Sequence, residues 1–172
     1  TPILDVLAGT LLRARQDELV LVPVLLMLIP PFVSQAGALG GIFASRTTSK
    51  LQIGVITARG MPETPALVDG SIVFVLAVTV FLLVGVIAYG LGEATGLIGM
   101  PPFGTLVGGT LLAGLLVTPV TLVASYYLAI GTYRFGLDPD NQSVPIITSV
   151  MDLAGIAVVL FVMTSLGVLP HG

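Results

Sequence analysis

Four long apolar runs, beginning near Leu19, Leu67, Gly104 and Pro145, leave this chain little choice of solvent. The clearest, Leu67 to Leu91, carries one charged residue, Asp69, near its start. About 20 apolar residues in a row are what a helix needs to cross roughly 30 Å of hydrocarbon. Over the whole chain 55% of residues are apolar and 9% are charged, where ordinary soluble domains carry about 25% charged residues. Too few polar side chains remain to cover a water-facing surface. The expected fold is therefore all-α, a polytopic membrane bundle of about five transmembrane helices. It forms a single domain over residues 1–172, multi-pass in the cell membrane and in contact with lipid. The absence of cysteine excludes disulfides and thiolate metal sites. The net charge of -3, with no basic stripe, argues against nucleic acid as a partner. Enzymatic activity is not expected, since the sole histidine, His171, lies in the C-terminal tail.

The run from Pro2 to Leu12 is about half a span, and reads as the end of a first helix truncated at Thr1 rather than as an interfacial segment. Arg13, Arg15, Asp17 and Glu18 then form a polar turn. The second span, from about Leu19 to Ala44, contains Pro30-Pro31; two prolines remove two backbone donors and clash with the preceding turn, so a break is expected there. Ser34 and Gln35 follow it, and Gly37 with Gly41 form a G-x-x-x-G pair of the kind that lets helices pack closely. The longest loop, Ser45 to Pro65, carries Arg46, Lys50 and Arg59. Asp69 is expected in the first turn of the third span, where a carboxylate complements the helix dipole. On the fourth span, Thr118, Thr121 and Ser125 share one face beside Pro119. That seam reads either as hydroxyls binding neighbouring helices or as a pore lining. With Arg46, Lys50, Arg59 and Arg134 on one side against Arg13 and Arg15 on the other, the positive-inside rule puts the long loop and the N-terminus in the cytoplasm and the C-terminus outside.

Asp152 is the residue that the membrane reading makes expensive. An ionisable side chain at mid-span costs about 2.5–3.5 kcal/mol on insertion scales, and such residues face a partner or a water-filled path. With the fifth helix starting near Ser143 or Val144, Asp152 lies about 12 Å below the preceding loop, on a polar face shared with Pro145, Thr148, Ser149 and Gly155. Asp138, Asp140 and Asn141 sit ahead of that helix; they read as turn and N-cap chemistry or as an acidic mouth. One carboxylate is a poor site for a free cation. Two copies facing each other across a two-fold axis would repel, or share a proton, unless a cation lay between them. Magnesium suits such a site because it keeps several waters and binds through one or two carboxylates. A proton relay, or a structural bond from Asp152 to Thr148, are the other readings.

The stretch Leu137-Asp-Pro-Asp-Asn-Gln-Ser-Val-Pro-Ile-Ile-Thr-Ser-Val-Met-Asp-Leu-Ala-Gly resembles the last-helix signature of the MgtE family of magnesium transporters. Pro31-Phe-Val-Ser-Gln-Ala-Gly-Ala-Leu-Gly-Gly-Ile-Phe-Ala-Ser-Arg is similar to that family's second-helix signature, with Ala38 where the family commonly has asparagine. The resemblance implies a five-helix unit that works as a homodimer with the ion path at the interface, and hydrated magnesium bound by the aspartate that aligns with Asp152. Thr148 and Ser149 would orient waters, Ser34 and Gln35 would line the wall, and Asp138, Asp140 and Asn141 would form the cytoplasmic mouth. The expected function is a magnesium channel or transporter. The alternatives are a proton- or sodium-coupled cation exporter of the same fold, or a non-transporting membrane assembly protein.

Overall fold

Every regular element is a helix among the described residues, which in the computed structural model are 2–14, 16–58, 60–136 and 139–169. The elements are α1 (Pro2–Ala14), α2 (Gln16–Leu21), α3 (Pro23–Gln52), α4 (Thr64–Ala94), α5 (Phe103–Arg134) and α6 (Pro139–Ser165). Four stretches are long and apolar enough to cross a membrane: α3, α4, α5 and, within α6, Pro145–Ser165. The first apolar run forms α1, 13 residues long and so about 20 Å, shorter than the hydrocarbon core. It packs along α6 and buries Ala8. In the polar turn expected at residues 13–18, Arg13 belongs to α1 and Asp17 and Glu18 to α2, while Arg15 lies outside the described residues.

Pro30-Pro31 does not break the second span. α3 runs through both prolines as one helix of 30 residues. The prolines, and the residues four before them, Leu26 and Met27, all lie on the exposed side of α3. On the other side Leu25, Leu28, Ile29, Phe32 and Val33 are buried against neighbouring helices. Packing along that face outweighs the local cost of two prolines, a tolerance that membrane helices share. Proline instead marks a helix start, with Pro23 at the opening of α3 and Pro65 in the first turn of α4. Glycine marks the ends. Gly96, at φ 66°, follows α4 and lets Leu97 N–H donate back to the Gly92 carbonyl at 3.1 Å.

The long helices meet through small residues. Phe32 of α3 and Phe81 of α4 stack at 4.6 Å between ring centroids in the core. Gly114 of α5 lies beneath Phe81, where any side chain would overlap the ring. At Gly40 three helices converge: an added Cβ would lie 2.6 Å from Ile147 Cγ2 of α6 and 2.8 Å from Thr121 Cγ2 of α5. An added Cβ at Gly37 would lie 2.9 Å from Thr148 Cγ2. Close approach on α3 thus includes Gly37 and Gly40, and Gly41 is buried as well. The Thr118, Thr121 and Ser125 seam is buried between helices. Thr118 donates to the Gly114 carbonyl at 2.6 Å, and Thr121 to the Val117 carbonyl at 3.0 Å and to Met151 Sδ of α6 at 2.8 Å. Thr121 therefore links α5 to α6, Thr118 bonds only within α5, and Ser125 Oγ is buried without a hydrogen-bond partner among the described residues.

Candidate ion site and the charged end of the bundle

α6 begins at Pro139, several residues ahead of the expected start, with Pro145 inside it. Asp152 thus lies about 20 Å along the helix from Pro139, farther than the 12 Å expected from a later start. Measured from Pro145, where the apolar stretch begins, it is about 10 Å in, with about 20 Å remaining to Ser165.

Two contacts fix the height of Asp152 against α3. Thr148 packs on Gly37, and Gly155, two turns later, packs on Val33, where an added Cβ would be 3.2 Å from Val33 Cγ2. The helices are therefore antiparallel, and Asp152, between Thr148 and Gly155, is level with the α3 segment that carries Ser34 and Gln35. Ser34 is exposed on the surface of the single chain, and Gln35, Thr148 and Asp152 are partly exposed. Ala38 is exposed one turn along from Ser34. The structure thus sets Ser34, Gln35, Thr148 and Asp152 at about the same height along the α3–α6 pair, each at least partly exposed on the single chain. Ser149, by contrast, is buried within the chain at 6% exposure. The Thr148 hydroxyl donates to the Pro145 carbonyl at 3.0 Å, which satisfies a carbonyl beside the internal proline. Asp138 lies outside the described residues. Asp140 and Asn141 fall in the first turn of α6, and their side chains lie outside the description. Among the described residues no three acids or histidines come together as a metal cluster.

The sequence reading misplaced Asp69. It is the sixth residue of α4, past the first turn, and it is 2% exposed between two cations of α3. Arg46 Nη2 donates to Asp69 Oδ1 at 2.8 Å, and Lys50 Nζ pairs with Asp69 Oδ2 at 2.6 Å while donating to the Pro65 carbonyl at 2.8 Å. Arg46 and Lys50 stand one turn apart on α3, so one buried carboxylate can hold both. The spacing of these two cations was the available signal; the carboxylate that answers them lies on another helix. The same end of the bundle is tied to α5: Tyr126 and Tyr127 hydroxyls donate to the Met61 and Gly60 carbonyls at 3.0 and 3.1 Å, and Arg134 donates to the Ala58 carbonyl. Arg46, Lys50 and Arg134 therefore share one end of the molecule, as expected, and Arg59, expected with them, lies outside the described residues.

Four membrane-length apolar helices among the described residues, the last of them carrying the partly exposed Asp152, mark an integral membrane protein. The chain belongs to the MgtE family, described as divalent cation transporters, whose family model matches residues 29–162. The match takes in all of α4 and α5, most of α3 and the α6 segment that carries Thr148 and Asp152. No individual curated protein matches the chain. Transport, not enzymatic catalysis, is the activity of this family.

Proposed function

We propose that the chain carries magnesium across the membrane as a homodimer, with Asp152 from each copy at the central site. The observation that carries this reading is the α3–α6 seam: an acid about 10 Å inside an apolar span, level with Ser34 and Gln35, on a surface of the single chain that is only partly covered. One chain supplies one carboxylate at that depth. A facing copy supplies the second, and a divalent ion between them relieves the repulsion that two carboxylates in low dielectric would suffer. Magnesium, as substrate, crosses with part of its water shell, and Thr148, Ser34 and Gln35 offer oxygens and an amide for those waters. Ala38 in the same seam has no polar atom to give, so ion selection rests more heavily on Asp152. Ser149 acts from behind, within the α6 packing. Asp138, Asp140 and Asn141 form the acidic mouth at the cytoplasmic end, and the loop 53–63 lies on the cytoplasmic side with Arg46, Lys50 and Arg134.

The test is magnesium flux into proteoliposomes with Asp152→Asn beside the wild type, together with manganese soaked into crystals to seek an anomalous peak on a two-fold axis. The reading expects at least a tenfold loss of flux in the variant and a peak beside Asp152. A monomer with full flux, or an axis without the ion, would sink it. Flux that vanishes when a proton or sodium gradient is collapsed would assign the same carboxylate to a coupled exporter.

A further inference from the structure

A recess on the opposite side of α3 from the ion seam carries a second binding proposal. It lies between α3, α4 and α5, has a volume of about 400 Å³, and is walled by Phe43, Leu67, Gly70, Phe74, Leu122 and Tyr126. That volume is within the roughly 300–1,000 Å³ of ordinary ligand sites. Its wall is almost wholly apolar, and Val123 and Tyr127 at its rim are more than half exposed, so in the membrane it opens toward lipid. Gly70 forms part of the floor, where an added Cβ would come into contact with Phe43 and Leu122.

The end of the recess toward the loop is built differently. The Tyr126 and Tyr127 hydroxyls close it by holding the Met61 and Gly60 carbonyls, and tyrosines are side chains that favour the membrane–water boundary. On α3, Arg46 and Lys50 follow Phe43 at three and seven residues, on the same face, about 5 and 10 Å closer to the loop. They reach across to Asp69, the neighbour of Gly70. Two cations against one carboxylate leave a net charge of +1, and the two further charges at this end, Glu63 near Tyr126 and Arg134 on the Ala58 carbonyl, offset each other. The Arg46 side chain is 51% exposed and uses one nitrogen on Asp69, so it has further N–H groups to offer.

We propose that this recess binds an anionic phospholipid, with an acyl chain against Phe43, Gly70 and Leu122 and the phosphate at Arg46. The apolar length and the adjoining positive charge match the two parts of such a molecule. A basic residue near the membrane surface favours anionic lipid by about 1 kcal/mol, so a net +1 gives about a fivefold preference over a zwitterionic lipid of the same chains. The proposal needs the membrane-spanning fold but not the ion path.

The experiment is native mass spectrometry of the detergent-solubilised protein incubated with equal amounts of phosphatidylglycerol and phosphatidylcholine of matched acyl chains. Wild type is expected to retain the glycerol lipid about fivefold over the choline lipid, and millimolar inorganic phosphate is expected not to displace it. Gly70→Ala is the folding control and keeps the wild-type oligomer, since the new Cβ would meet Phe43 and Leu122 at 3.7 and 3.9 Å, ordinary contact distances. Gly70→Phe fills the recess and lowers retention of both lipids at least fivefold. Val123→Trp, at the exposed rim, serves the same purpose should Gly70→Phe not fold. Arg46→Gln leaves Lys50 on Asp69 and brings the lipid ratio to about one. Equal retention of the two lipids by wild type, or full retention in both filled variants, overturns the proposal. So does displacement by phosphate alone, which would mean a headgroup site without the recess, or a filled variant that loses its oligomer and not its lipid, which would make a second copy the occupant.

Discussion

Replacing Asp69 by asparagine should be among the most destabilising polar changes in this chain, and the structure sets the scale. The carboxylate is 2% exposed and holds two cations, at 2.8 and 2.6 Å. Removing one partner from a buried ionic group costs about 3–5 kcal/mol, because the charges left behind remain uncompensated. Here the residual charges have partial escapes. Arg46 is half exposed and can return to water, and Lys50 keeps its bond to the Pro65 carbonyl. The cost of Asp69→Asn therefore falls at the lower end, about 3 kcal/mol. Arg46→Gln should cost only about 1 kcal/mol, as expected of a half-exposed ion pair whose loss leaves the carboxylate still neutralised by Lys50. Lys50→Met is intermediate, at about 2 kcal/mol, since a charge-assisted bond is lost from a more buried position. Replacing all three residues by leucine or methionine should restore most of the loss, because a well-packed apolar set is often as stable as a buried ion group. The assay is the fraction of monodisperse protein left after heating in detergent. On the scale of about 2–4 °C per kcal/mol for domains near this size, the midpoint should fall roughly 6–12 °C for Asp69→Asn and 2–4 °C for Arg46→Gln. Equal midpoints for Asp69→Asn and wild type would refute the reasoning, as would an Arg46→Gln effect as large as that of Asp69→Asn.

Further predictions concern packing. Gly40→Ala should cost about 1–3 kcal/mol, more than Gly37→Ala, because side chains of α5 and α6 enclose Gly40 from two directions; the same heating assay ranks the pair. Phe81→Ala should cost about 3–5 kcal/mol as a fully buried aromatic lost from the core. The double change Pro30→Ala with Pro31→Ala should leave helix content by circular dichroism unchanged, since α3 is already continuous; a clear gain would mean the span is broken in solution. Thr121→Val should cost about 1 kcal/mol through the lost contact to Met151, read as a midpoint shift of a few degrees.

Much of the fold was legible because membrane insertion is a question about composition along one dimension. Length and polarity alone located the spans that became α3, α4 and α5 to within a few residues at most ends, and the signature around Asp152 pointed to the family that the chain proves to belong to. Local rules did less well where a neighbouring helix had a say. Pro30-Pro31 reads as a break until the buried face of Leu25, Leu28 and Phe32 is set against it. Asp69 reads as a helix-dipole residue until α3 brings Arg46 and Lys50 alongside. Thr148 and Ser149 are adjacent in sequence and chemically alike, yet rotation of α6 leaves one in the seam and buries the other. The sequence by itself therefore determined the solvent, the helical class and most of the spans. Which helix faces which, at what height and with which side chains turned outward, was decided only in the tertiary structure, because those quantities depend on two helices at once and no single run of residues encodes its partner's rotation.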